Sequence, residues 1–184
     1  MANFTNSDII DIWQQARREE IFPAGSSAND FGVVAVGGKL TPLWVLNAYA
    51  HGIFPWPLDL DEELEEKVLA WFCPDPRTVL IPADLHIPRR LKRKMRSGRF
   101  QVTSDQSFEA VVSACSGPRL IEGELETGTW ITSEVESVYA ELHGKGIAHS
   151  IEVWQEDVLV GGLYGIAVGS IFCGESMFHH VSDA

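Results

Sequence analysis

From His149 to Phe178 the chain runs through three strand-forming blocks, His149–Trp154, Val158–Val168 and Ser170–Phe178, parted only by Gln155-Glu156-Asp157 and by Gly169. Breaks that short between β-branched and aromatic runs predict an antiparallel three-strand meander. No charged side chain falls between Val158 and Gly174, so both faces of the meander are expected to be covered. Gly161, Gly162, Gly165, Gly169 and Gly174 contribute little to packing and suit bulges or close backbone approach. One carboxylate, Glu175, stands at the end of this apolar stretch.

Upstream the period changes. Residues 7–20 place Ile9, Ile12, Trp13 and Ala16 on one helical face, with Ser7 as the candidate N-cap. A short strand over Phe31–Val36 ends at Gly37-Gly38, and Thr41-Pro42 caps a helix over Leu43–Ala50. The prolines of Ile53-Phe-Pro-Trp-Pro57 predict an irregular, rigid loop holding Trp56. Asp59–Lys67 reads as an acidic helical insertion without chemistry, and Trp71–Arg77 as a boundary between a domain over 1–72 and another over 73–184. Beyond it we expect a strand at Thr78–Ile81, a helix over Arg89–Arg96 starting at Pro88, a strand at Phe100–Thr103 and a helix at Ser107–Cys115. A long acidic loop over Gly117–Gly128 then leads to Trp130 and a helix capped by Thr132 or Ser133 and carrying Val135, Val138, Tyr139 and Leu142.

Charge changes this picture in one place. The net charge is −12, yet seven of the fourteen Lys and Arg residues lie between Arg89 and Arg99 with no acid among them, leaving −19 on the rest. A solvated helix face ordinarily intersperses acids; an unbroken basic stripe on an acidic body is the footprint of a polyanion site. Three unpatterned cysteines, Cys73, Cys115 and Cys173, argue against a disulfide framework or zinc site, and an N-terminus without basic or apolar regions points to the cytoplasm. No phosphate loop or dinucleotide fingerprint supports ATP-driven or redox activity. His149, Ser150 and Glu152 resemble a triad, but we place Ser150 on the strand face opposite the other two. His179-His180 lacks a third ligand at motif spacing, so no metal is expected, and Cys173 reads as a small buried hydrophobe.

The motifs Gly37-Gly-x-Leu40, Gly52-Ile-Phe-Pro-Trp56, Pro74-Asp-Pro-Arg77, Gly128-Thr-Trp-Ile-Thr132, His149–Trp154, Gly161-Gly-x-Tyr-Gly165 and Phe172-Cys-Gly-Glu-Ser-Met-Phe178 resemble, in order, those of the bacterial leucyl/phenylalanyl-tRNA–protein transferases. The resemblance implies an α+β fold, a small N-terminal α/β domain followed by an acetyltransferase-like domain built on the meander. It implies transfer of Leu or Phe from tRNA to the N-terminal Arg or Lys of a protein, as a degradation signal, without cofactor. Trp56 and Trp130 would flank the terminal adenosine; Leu163, Phe172 and Met177 would line the side-chain pocket; Arg89, Arg90, Arg93, Lys94 and Arg96 would grip the acceptor stem. Glu175 would lie near the ester, as anchor for the substrate ammonium or as base. The family's Asp-x-Gln catalytic motif is absent, and Ser182-Asp183-Ala184 reads as a helix start cut short. A catalytically dead tRNA-binding fragment is therefore the alternative, and an acyl-coenzyme A acetyltransferase of the same fold another, although no turn here suits a pyrophosphate.

Overall fold

In a computed structural model, described for residues 5–59, 67–121, 124–126 and 128–184, the described residues form two larger antiparallel sheets and a two-stranded one, with helices packed between and over the larger two. The first helix, α1 (Asn6–Arg18), is capped by Thr5 and not by Ser7. Thr5 and Asp8 exchange side-chain and backbone hydrogen bonds in a capping box that begins two residues earlier than the apolar stripe suggested. Thr41 caps α2 (Pro42–Ala50) as expected. The buried Asn47 of α2 donates to the carbonyls of Ala16 and Glu19, 2.6 and 2.7 Å away, satisfying the end of α1 and fixing the two helices together.

Three strands, β1 (Val33–Val36), β2 (Phe54–Asp59) and β3 (Lys67–Phe72), form a sheet in the order β1-β3-β2. The proline-bearing segment expected to be irregular is thus the edge strand β2, with Pro55 opposite Trp71 and Pro57 opposite Leu69. An edge tolerates proline because the missing N–H can face away from the ladder, and residues two apart face the same way. Gly38 adopts a positive φ of 89°, and a Cβ there would lie 2.3 Å from the Trp44 ring, so only glycine lets the ring close over this turn. The supposed acidic helix falls mostly on 60–66, outside the described residues.

Thr78–Ile81 forms no strand, and Val79, Leu80 and Ile81 are exposed. The basic α3 (Arg89–Met95) follows Pro88 and buries none of its residues. Next come β4 (Gln101–Ser104) and α4 (Phe108–Ser116). The expected acidic loop contains a small hairpin, β5 (Arg119–Ile121) with β6 (Glu124–Glu126), whose pairing overrides the strand-poor acidic composition. Thr132 caps α5 (Ser133–Gly144).

The meander is present as β7 (Ala148–Gln155), β8 (Val158–Val168) and β9 (Ile171–His179), with β4 on its far side in the order β4-β7-β8-β9. Glu156 and Asp157 take φ of 52° and 63°, the left-handed pair that a two-residue hairpin requires. Only one face is covered as predicted. α4 and α5 pack over Ala148, Ser150, Glu152, Tyr164 and Ile166, all fully buried, whereas Val102, Phe172 and Met177 stand 63%, 46% and 70% exposed on the other face. A charge-free stretch therefore did not require two covered faces.

Candidate functional site

Glu175 owes its orientation to a β-bulge. Tyr164 pairs with Ser176 but Gly165 pairs with Gly174, so Glu175 has no partner across the ladder and is turned out of the regular alternation. The same bulge decides the faces of the three residues expected to line the side-chain pocket. Strict alternation would put Phe172 and Met177, five apart, on opposite faces; the extra residue returns both to the face of Leu163, which lies directly across from Met177. Gly165 makes room, since a Cβ there would meet the Phe172 ring at 2.7 Å.

The Glu175 carboxyl faces inward between the two halves of the chain. The Tyr49 hydroxyl of α2 donates to Oε1 and the Tyr139 hydroxyl of α5 to Oε2, 3.1 Å away, while the two hydroxyls lie 3.2 Å apart. Burial pushes the carboxyl up from 4.5 to about 7, against the opposing pull of both tyrosine donors and the Arg77 charge. Burial and then the Glu175 charge raise the Tyr49 phenol well above its ordinary value, and the same two causes raise Tyr139. Cys173, half-buried as a small hydrophobe, has its thiol pushed up by burial and by Glu175 and is no nucleophile at neutral pH.

Beside the carboxyl opens a cleft of about 300 Å³ bounded by Tyr49, Phe54, Trp56, Arg77, Gly174 and Glu175. The guanidinium of Arg77 sits 4.5 Å from the centre of the Phe54 ring. Two sequence candidates, Trp56 and Glu175, thus share one cavity. Trp130 joins them indirectly: it is buried and stacks on Trp56, centroids 5.0 Å apart and planes 19° from parallel. Two indoles in mutual contact leave no room for a base between them. Leu163, Phe172 and Met177 do not line this cleft but lie on the open sheet face, which meets it at Gly174, where a side chain would find open space.

The basic candidates divide into two stripes. Arg89, Lys92, Arg93 and Arg96, at spacings of three and four along α3, border a shallow depression of about 490 Å³. Lys94 instead bonds Asp183, whose carboxyl is held low by Lys94 and, more weakly, by Arg90 and Arg99.

The sequence assigns no role to Tyr49 or Tyr139, and Arg77 stands out there only as part of the Pro74-Asp-Pro-Arg77 motif. A tyrosine on an apolar helix face reads as core, and the signal that could have found it is that a buried phenol needs a polar partner. The expected placement of Ser150 is corrected. Ser150 and Glu152, two apart, share the inner face, and Ser150 donates to Glu152 Oε1 at 2.5 Å, beside Thr103, which donates to Oε2 at 2.5 Å. His149 lies on the opposite face with its Nδ1 2.8 Å from Asp105, so no triad assembles. Among the described residues no cluster of His, Cys, Asp or Glu could hold a metal, and no helix is long and apolar enough to cross a membrane.

An enclosed carboxyl, an indole pair and a cationic stripe are thus carried on one α+β frame. The family model described as leucyl/phenylalanyl-tRNA protein transferase matches residues 79–184, and the model of that transferase's N-terminal domain matches 38–75; the chain belongs to this family. The leucyl/phenylalanyl-tRNA–protein transferase of Azotobacter vinelandii is 51% identical over 153 residues, 83% of this chain and 63% of the relative. Those of Stutzerimonas stutzeri and Pseudomonas fluorescens are each 48% identical over the same shares. The chain thus spans just under two thirds of the length of these curated relatives.

Proposed function

We propose that the protein transfers Leu or Phe from an aminoacyl-tRNA to the N-terminal Arg or Lys of an acceptor protein in the cytoplasm. The observation that carries this reading is the meeting of Trp56 with the Glu175 carboxyl in one cleft, ring platform beside proton-exchanging group. An aminoacyl ester is already activated. The acceptor amine attacks its carbonyl carbon, a C–N bond forms, the C–O bond to the ribose breaks, and the amine's proton passes to the departing ribose oxygen. Orientation and one proton acceptor are what the reaction needs from the protein. Glu175, ionised above about pH 7, serves as anchor for the substrate ammonium, and an arriving cation lowers its proton affinity further. In this reading residues 1–72 form the N-terminal domain and 73–184 an acetyltransferase-like domain. Incorporation of radiolabelled Phe from Phe-tRNA into a protein with N-terminal Arg tests it; absent incorporation with intact tRNA binding would favour a binding module.

For the adenosine, the self-stacked indoles imply that one face of Trp56 is vacated when the base arrives, the base replacing Trp130 as its neighbour. Trp56→Ala should weaken aminoacyl-tRNA binding by about 1–3 kcal/mol, the worth of one stacked base. Quenching of tryptophan fluorescence by uncharged tRNA, lost in Trp56→Ala, is the direct readout. Phe172→Ala and Met177→Ala should lower Phe transfer while sparing binding of uncharged tRNA, because the open face beside Gly174 meets only the amino-acid side chain. Equal losses in both assays would remove these two residues from the side-chain pocket.

A further inference from the structure

The cleft beside Glu175 holds a charged group for which the transfer chemistry has no use. Arg77 is the one cation among the described residues that line it, and it is exposed. Pro76 stiffens the chain immediately before it, and Thr78 follows it into the same lining. The guanidinium lies over the Phe54 ring, 4.5 Å from its centre. Phe54 is backed in turn by Phe72, its cross-strand partner in β3, with ring centroids 6.0 Å apart. A guanidinium resting on a ring is held flat, and its N–H donors then point outward in one plane.

That donor plane meets no protein acceptor. Among the described residues Arg77 forms no ion pair, although Asp75 is two residues away, and the Thr78 hydroxyl makes no hydrogen bond. Glu175 is turned inward onto Tyr49 and Tyr139, so it feels the Arg77 charge without pairing with it. Across the same lining stands Trp56, whose indole is 38% exposed. A free donor fork, a free hydroxyl and an accessible aromatic face therefore share a cleft of about 300 Å³, a size at the lower end for small-ligand sites.

We propose that Arg77 and Thr78 form a phosphate subsite, which takes the 5′-phosphate of the nucleotide whose base stacks on Trp56. That this nucleotide ends a tRNA rests on the transferase reading; the subsite itself does not. A phosphate offers two oxygens to the edge of the guanidinium and a further one to the hydroxyl, all in charge-assisted bonds. A nucleotide is the ligand class that joins such an anion to a planar ring through a short linker, as an indole and a donor fork in one cleft require. None of the α3 residues borders this cleft, so the subsite is separate from the basic stripe. Held at both base and phosphate, the nucleotide cannot swing about its ribose, and its 3′ side is fixed beside Glu175.

Tryptophan fluorescence is titrated at low ionic strength with adenosine and with adenosine 5′-monophosphate. The wild type should bind the monophosphate about tenfold more tightly, as for a charge-assisted hydrogen-bonded contact, and added salt should shrink that ratio. Arg77→Gln should bring the ratio close to one in a protein that still binds adenosine, and Thr78→Val should lower it about threefold. Equal behaviour of the two ligands in the wild type, or a ratio that survives both substitutions, overturns the proposal. Phe transfer to a protein with N-terminal Arg is measured on the same preparation. Transfer without a preference for the monophosphate sinks the subsite alone. A preference that Arg77→Gln removes, in a protein without transfer, supports the subsite and sinks the transferase reading alone.

Discussion

Glu175→Gln should remove the main pH dependence of stability between about pH 4.5 and 7 and abolish most transfer activity. The folded carboxyl keeps its proton up to about pH 7, whereas in the unfolded chain it ionises near 4.5. Within that window the folded state binds more protons than the unfolded one, so stability falls as pH rises. The contribution is complete below the unfolded value and is lost by the time pH passes the folded one, a change of at most about 3 kcal/mol. Glutamine keeps an oxygen to accept from one tyrosine and an NH2 to donate to the other, without a charge to desolvate. Unfolding by urea at pH 5 and pH 8 should therefore show the wild type losing stability relative to the variant. A parallel pair of curves would mean that the carboxyl is solvated in the folded state. In transfer, wild-type activity should climb through about pH 7 as the carboxylate forms, and the variant, having no carboxylate to anchor the substrate ammonium, should fall by roughly 10²-fold or more.

The sequence carried the three-strand meander because periodicity two and short turns are local properties, and it carried Glu175 because a lone acid after an apolar run stands out. The arrangement of the site depended on one residue of register. The bulge at Glu175 decides that Phe172 and Met177 share a face, and glycines on both strands allow a bulge without marking which residue is extra. Tyr49 and Tyr139 converge on that acid from helices ninety residues apart, a contact between halves of the chain that no local pattern contains. The opposite failure occurred at Ile53–Pro57, where local proline chemistry argued against regular structure and pairing with β3 at a sheet edge overrode it. Thr78–Ile81 has strand composition but no strand beside it to pair with among the described residues. Composition records what a segment can do; the available partner decides whether it does.

For α3 the structure sharpens which cations should matter. Seven residues make two turns, so the five Arg and Lys positions assigned to the acceptor stem cannot all face one phosphate backbone. Arg89, Arg93 and Arg96 lie on one stripe with Lys92, a residue outside the sequence-based set, while Lys94 is already bonded to Asp183 and the Arg90 charge acts on the same carboxylate. Replacing Arg89, Arg93 and Arg96 by Ala should reduce the magnitude of the salt slope of tRNA binding by roughly 2.7, about 0.9 for each duplex phosphate released, and cost about two orders of magnitude in affinity at 0.15 M salt. The pair Arg90→Ala with Lys94→Ala should change the slope by less than about 1, because Asp183 neutralises part of that stripe before any phosphate arrives. Filter binding of an acceptor-stem duplex across a salt series separates the two. Equal slopes for both variants would show that phosphate contacts the whole helix end and that the Lys94–Asp183 pair opens on binding. A slope unchanged in the triple variant would remove α3 from the tRNA interface.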